Sequence, residues 1–222
     1  MLIAIEGIDG SGKGTQASML AERLQGDGVG VQIFRFPQYE ESFFGREVGR
    51  YLNGEFGTLD KVHPKFSALL YALDRYESVE RIHAALKDGH IVICDRYTGS
   101  NIAHQAARVP ASEWTAMTSW IKEVEEIVLQ IPKPDIVLLL DTEVKQSQLL
   151  VAKKEKRTYT DHIHDLHEAS GEHLQLALNN FRALATQPDW HHIACLDSSG
   201  RLRSQTEISD EIYHEVCRAR SA

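Results

Sequence analysis

Short apolar runs recur along this chain, each closed by a carboxylate, a proline or a glycine turn. Residues 2–5 are apolar and break into Glu6-Gly7. Residues 31–36 follow Gly-Asp-Gly punctuation and stop at Pro37. Residues 91–94 follow Asp88-Gly89 and end in Asp95-Arg96. Residues 135–141 are continuously apolar between their end carboxylates, the pattern of a strand covered on both faces. A fifth run, residues 192–196, precedes Asp197-Ser198-Ser199-Gly200. Helical patterns separate them. The clearest spans residues 62–86, where Val62, Phe66, Leu69, Leu70, Leu73, Val79, Ile82 and Leu86 recur at helical spacing. Strands alternating with helices predict a three-layer α/β fold: a five-stranded parallel sheet, helices on both faces, and ligands at the carboxyl ends of the strands. No repeat, low-complexity segment or linker interrupts residues 1–222, which read as one domain.

The first strand carries the strongest chemical signal. It runs into Glu6-Gly7-Ile8-Asp9-Gly10-Ser11-Gly12-Lys13-Gly14-Thr15 and then directly into a helical pattern. Strand, glycine loop and helix are the setting of a phosphate-binding P-loop. Gly7, Gly10 and Gly12 permit positive φ and close approach to an anion. The N–H groups of the loop then point inward as a nest, with the helix N-terminus behind them. Lys13 supplies a point charge to the β- and γ-phosphates of ATP, and Thr15 a hydroxyl for Mg²⁺. Ser11 and Gly14 complete the expected ATP-binding set. Gly14 stands where the usual pattern has Ser or Thr directly after the lysine. The strand that delivers Asp95 to the same edge offers a carboxylate to Mg²⁺, and Arg96 can fork onto phosphate oxygens. Asp141 also ends a strand and ranks second as a metal carboxylate.

Bulk properties narrow the class. The 222 residues are 42% hydrophobic and 25% charged, with a net charge of −8, which speaks against a nucleic-acid surface. Basic residues are local, as in Lys153-Lys154-Glu155-Lys156-Arg157. Cys94, Cys195 and Cys217 are odd in number and widely spaced, which favours reduced thiols over a disulfide. A strand starting at residue 2 leaves no room for a signal peptide, and no apolar run reaches membrane-span length. A cytoplasmic protein without a membrane or nucleic-acid partner is expected. His162, His164, His167 and His173 have no cysteine partner and fit no familiar zinc spacing; they read as polar lid residues and helix caps.

With these pieces assembled, the chain resembles the thymidylate kinases, which phosphorylate dTMP to dTDP with ATP. The resemblance covers residues 2–199. Its carriers are the glycine loop, Arg35-Phe36-Pro37, Tyr71-Ala72-Leu73-Asp74-Arg75, Asp95-Arg96-Tyr97-Thr98-Gly99-Ser100 and Pro132-Lys133-Pro134-Asp135, in that order. The resemblance implies a base pocket in which Tyr71 stacks on thymine and Arg75 hydrogen-bonds a base carbonyl. Those two residues are one helical turn apart and share a face. Phe36 and Pro37 would form the opposite wall. Asn101 and Gln105 would meet base or sugar edges, with Ser100 beside them, and Tyr39 would reach the acceptor phosphate. Asp9 is assigned to the acceptor's 3′-hydroxyl or the magnesium shell. Lys13, Arg96 and Asp9 would carry catalysis, joined by Lys153 and Arg157 from a short basic lid at about residues 152–166. Arg46 and Arg50 face either phosphate or solvent. His104 replaces a tyrosine credited with excluding ribose, and His167 replaces another tyrosine. A homodimer is implied by the family. Another nucleoside-monophosphate or deoxynucleoside kinase is the alternative on this scaffold. A nucleotide-binding switch protein is disfavoured, since the chain has no Asn-Lys-x-Asp guanine motif.

Overall fold

The computed structural model describes residues 1–152 and 171–221. The expected lid, with Lys153, Arg157, His162, His164 and His167, lies outside the described residues. Five strands form one parallel sheet in the order β2-β3-β1-β4-β5: β1 Leu2–Glu6, β2 Val31–Arg35, β3 Ile91–Asp95, β4 Ile136–Asp141 and β5 Trp190–Ala194. Helices α1 (Lys13–Gly26), α2 (Phe43–Leu52), α3 (Pro64–Tyr76), α4 (Val79–Lys87) and α5 (Thr98–Ala106) lie among the first strands. Helix α6 (Trp114–Lys122) continues into a π-helical turn, Glu123–Val128. Helices α7 (Val144–Ala152), α8 (Gly171–Leu184) and α9 (Gln205–Ser221) complete the described chain.

The strands alternate faces, and both faces are apolar. Ile3, Ile5, Ile93 and Leu138 pack on Leu20 and Leu24 of α1 and on Ile212 and Val216 of α9. On the other face, Leu2, Ala4, Val92 and Val137 pack with Ile82 of α4 and Tyr97, while Leu139 meets Ile102 of α5 and Phe181 of α8. A sheet covered on both sides explains why its central strands β1, β3 and β4 read as apolar runs, whereas the edge strands β2 and β5 carry polar, partly exposed positions.

Two boundaries differ from the sequence expectation. The single helix expected over residues 62–86 is two, because Glu77 and Ser78 are drawn aside to hold the start of α2. The Glu77 carboxylate accepts the N–H groups of Phe43 (3.3 Å) and Phe44 (3.1 Å), and Ser78 Oγ accepts Gln38 Nε2. The last strand begins two residues earlier than expected, since its register pairs Trp190 with Val137, and Leu196 instead bridges to Leu202.

Candidate active site

The glycine loop closes over the carboxyl end of β1. Gly7, Gly10 and Gly12 take φ of +142°, +79° and +94°. A Cβ on Gly10 would stand 2.4 Å from the Ser147 carbonyl oxygen, so α7 packs directly on the loop and a side chain is excluded there. Ser147 Oγ in turn donates to the Asp9 carbonyl. Gly12, at the N-cap of α1, offers no side-chain acceptor, and the helix N–H groups are left for an anion. Ser11 Oγ is buried in the loop without a hydrogen-bond partner among the described residues.

Lys13 is 6% exposed, and its ammonium donates to the Ile8 carbonyl at 2.8 Å. Burial, with Arg96 nearby, draws its pKa down to about 8. Thr15 is exposed on the first turn of α1. Asp95 Oδ2 lies 3.0 Å from the place a Cβ on residue 14 would occupy. A serine or threonine would crowd that carboxylate, which gives Gly14 a physical reason. Arg96, at φ +68°, pairs with the Asp9 carboxylate and donates through Nη1 to Ser100 Oγ (3.1 Å) and the Gly7 carbonyl (3.4 Å). Asp141 is held by Arg182 Nε at 2.9 Å and His192 Nε2 at 2.6 Å.

Every residue expected on the acceptor side lines one cavity, together with Leu52. The loop after β2 supplies Phe36, Pro37 and Tyr39; α3 supplies Tyr71 and Arg75. Arg96 and, from α5, Ser100, Asn101, His104 and Gln105 form another side, and Asp9 joins from the glycine loop. The Phe36-Pro37 wall, with a cis peptide, is anchored from α3. The fully buried Asp74 carboxylate accepts the Gln38 N–H at 3.2 Å and Ser42 Oγ at 2.6 Å, and burial pushes its pKa up to about 6.

At the base end, Arg75 is 2% exposed and forks onto Glu125, with Nε to Oε2 at 2.8 Å and Nη2 on Oε1. Asn101 Nδ2 donates to Glu125 (2.7 Å) and the Ala68 carbonyl (3.0 Å). Gln105 Oε1 accepts Ser67 Oγ (2.7 Å) and Arg108 Nη1 (2.8 Å). That leaves Asn101 Oδ1, an acceptor, and Gln105 Nε2, a donor, buried and without partners among the described residues. Both carboxamides line the cavity beside Arg75. His104 faces His173 of α8, with Nδ1 3.4 Å from Nε2, and its ring meets Phe181 edge-on. Burial holds His104 well below the usual histidine range and His173 at about 4, so both rings are neutral at pH 7. His173 is therefore a packed core residue and not the polar lid or capping residue that the sequence pattern implies.

The thymidylate kinase family profile matches residues 5–191. The chain belongs to the thymidylate kinase family. It is 36% identical over 203 residues to a probable thymidylate kinase of Thermococcus onnurineus, covering 86% of this chain and 94% of that one. It is 38% identical over 141 residues to the thymidylate kinase of Mycobacterium tuberculosis, covering 63% of this chain and 65% of that one. The solved thymidylate kinase of Candida albicans superposes with a TM-score of 0.74 at 20% identity, covering 98% and 92% of the two chains, and bears out the P-loop fold.

For this thymidylate kinase family member, three functional groups stand outside the sequence expectation. Glu6 is fully buried at the end of β1, and its carboxylate accepts the N–H groups of Tyr97 (3.0 Å) and Ser100 (2.9 Å). It thereby caps α5, the helix that carries much of the cavity. Glu125 and Arg108 are the others. Arg50 is spent on Glu47 and Glu55 at the surface, and Arg46 is exposed; neither reaches the cavity.

Proposed function

We propose that the chain transfers the γ-phosphoryl group of ATP to dTMP, giving dTDP and ADP. One observation supports the substrate: among the described residues, the carboxamides lining the cavity keep one donor, Gln105 Nε2, and one acceptor, Asn101 Oδ1, without partners, with the Arg75 guanidinium beside them. Thymine presents the complement, two carbonyl oxygens flanking N3–H. Tyr71 and the Phe36-Pro37 wall supply apolar surface for the ring and its methyl group.

An acceptor phosphate oxygen attacks the γ-phosphorus in line, and ADP leaves with the electrons of the broken P–O bond. Lys13 and Arg96 act by position and charge. Each is held on a local oxygen, the Ile8 carbonyl or the Asp9 carboxylate, and is exchanged onto phosphate when nucleotide arrives. The oxygen donors Asp95, Thr15 and Asp9 suit Mg²⁺, the hard cation that neutralises β- and γ-phosphate charge when bound with ATP. Lys153 and Arg157 belong to the same proposal on sequence grounds alone.

A cytoplasmic setting is in keeping with three free cysteines. No described helix is long and apolar enough to cross a membrane. A homodimer is supported by Phe66, Leu69 and Tyr76 on one side of α3, 37–50% exposed, and by Ile127 and Val128 on the neighbouring π turn, at 69% and 68%. A panel of nucleoside monophosphates with ATP tests the activity. dTMP is expected first, dUMP second, and cytidine and purine monophosphates far behind. Faster turnover of dCMP or dAMP than of dTMP would overturn the assignment.

A further inference from the structure

Glu125 and Arg108 lie outside the cavity, yet each holds one of the two carboxamides that line it. A carboxamide can present either end to a ligand, and the energetic difference between the two rotamers is set by its neighbours. Behind Asn101 stands a carboxylate, 0% exposed, with the Ala68 carbonyl beside it. Both are acceptors, so the NH₂ end of Asn101 must turn toward them, and Oδ1 is left without a partner among the described residues. Behind Gln105 stand a guanidinium and the Ser67 hydroxyl, both donating to Oε1. Here the oxygen turns back and the NH₂ end is left without a partner among the described residues. The two clamps have opposite charge and produce opposite polarity.

We propose that Glu125 and Arg108 are specificity-determining positioning residues, a pair of oppositely charged clamps that lock the Asn101 and Gln105 carboxamides into one donor–acceptor pattern. The idea rests on the reading of the cavity as a pyrimidine site. Neither clamp touches substrate. Each acts through the amide it orients, and Glu125 also holds the Arg75 fork and accepts Thr98 Oγ1 at 2.7 Å. The locked pattern suits a ring with a carbonyl beside N3–H, as in thymine and uracil. It opposes cytosine, whose amino group and bare N3 reverse both positions. Discrimination between keto and amino pyrimidines therefore comes from behind the cavity wall, whereas recognition of the 5-methyl group belongs to the Phe36-Pro37 side.

Glu125→Gln tests the first clamp. The glutamine can turn its oxygen to Arg75 and its NH₂ to Asn101, which lets Asn101 reverse. The preference for dTMP over dCMP should fall by about 10- to 100-fold, while dTMP over dUMP and the KM for ATP stay unchanged. A merely structural role would lower all substrates together and leave both ratios alone. Arg108→Met tests the second clamp and stands by itself if Glu125→Gln does not fold. Ser67 still donates to Gln105, so the same ratio should fall by a smaller factor, about 3- to 10-fold. A wild-type dTMP-to-dCMP ratio in either folded variant would overturn the clamp it removes. The ratio is read both as kcat/KM and as equilibrium Kd. A wild type that binds dTMP over dCMP without phosphorylating it would overturn the proposed activity and leave the clamps standing.

Discussion

The two ends of the cavity are built on opposite principles. At the phosphate end, the charged groups are only provisionally paired. Lys13 rests on a backbone carbonyl and Arg96 on the Asp9 carboxylate, and in the proposed reaction both partners are traded for phosphate oxygens. At the base end, Arg75 and Glu125 are 2% and 0% exposed and bound to one another through two hydrogen bonds, with Thr98 and Asn101 on the same carboxylate. One end keeps its charge ready to move onto a ligand. The other spends its charge on fixing neutral groups in place. A reacting phosphoryl needs mobile compensation of charge, while recognition of a base edge needs donors and acceptors that cannot turn.

Removing one cation from each end should break the comparison most visibly. Lys13→Ala is expected to lower turnover by about 10²–10³-fold, the usual scale for loss of one aimed electrostatic group. Its fold should persist, because the variant deletes a buried charge without stranding another. Arg75→Ala should behave in the opposite sense. It leaves Glu125 buried and uncompensated, and breaking such a pair costs about 3–5 kcal/mol of stability. Weaker dTMP binding should accompany that loss. Thermal melts and steady-state kinetics on both variants decide the matter. Equal destabilisation by the two substitutions would sink the contrast.

Proton uptake sharpens the same division. Lys13 has its pKa drawn down to about 8 in the empty loop by burial and by Arg96, against 10.5 ordinarily. Between those values the unfolded chain binds the proton that the folded chain has released. The Lys13 contribution to stability of the nucleotide-free protein must therefore rise as pH climbs from 8 toward 10.5. ATP affinity must move the other way, since the phosphates need the charged form: from pH 7 to pH 9 it should weaken by about tenfold. Lys13→Met, which cannot titrate, isolates both effects in parallel melts and ATP titrations. The idea fails if wild type and variant share the same pH slopes.

The phosphate end was legible in the sequence because its pattern is local. Glycines, lysine and strand-end carboxylates sit within a few residues of the atoms they serve. The base end was legible only where a side chain lines the cavity itself. Glu125 lies in Glu123-Val124-Glu125-Glu126, which reads as a solvated face. Helical spacing from Ile121 puts Glu125 one turn on, on the buried face, where a carboxylate is not expected; Val128, two turns on, should also turn inward, yet it is 68% exposed. The π turn over Glu123–Val128 adds a residue to the helical repeat and rotates the face, and periodicity alone does not register that insertion. Glu6 was hidden differently. It stood in view within a recognised motif, but its partners, the N–H groups of α5, are 91 and 94 residues away.

The smallest expected effect concerns His104, which belongs to neither end. It lines the cavity between them and is backed by His173 and Phe181. If a tyrosine in this place excludes ribose by bulk, the shorter imidazole leaves room near C2′. Its neutrality, enforced by burial, means that no cation is offered to the sugar. Sugar discrimination should then be weaker in the native chain than in His104→Tyr, by roughly tenfold. The larger ring must also displace the His173 contact, so a loss of about 1–3 kcal/mol of stability should accompany the gain in selectivity. The rival account is that Gln105 already closes this side and His104 only packs against α8; Tyr97 is turned away, its hydroxyl donating to the Pro132 carbonyl. Comparing dTMP with its ribo counterpart in both proteins separates the two. If the stability falls and the selectivity ratio holds still, His104 is packing alone.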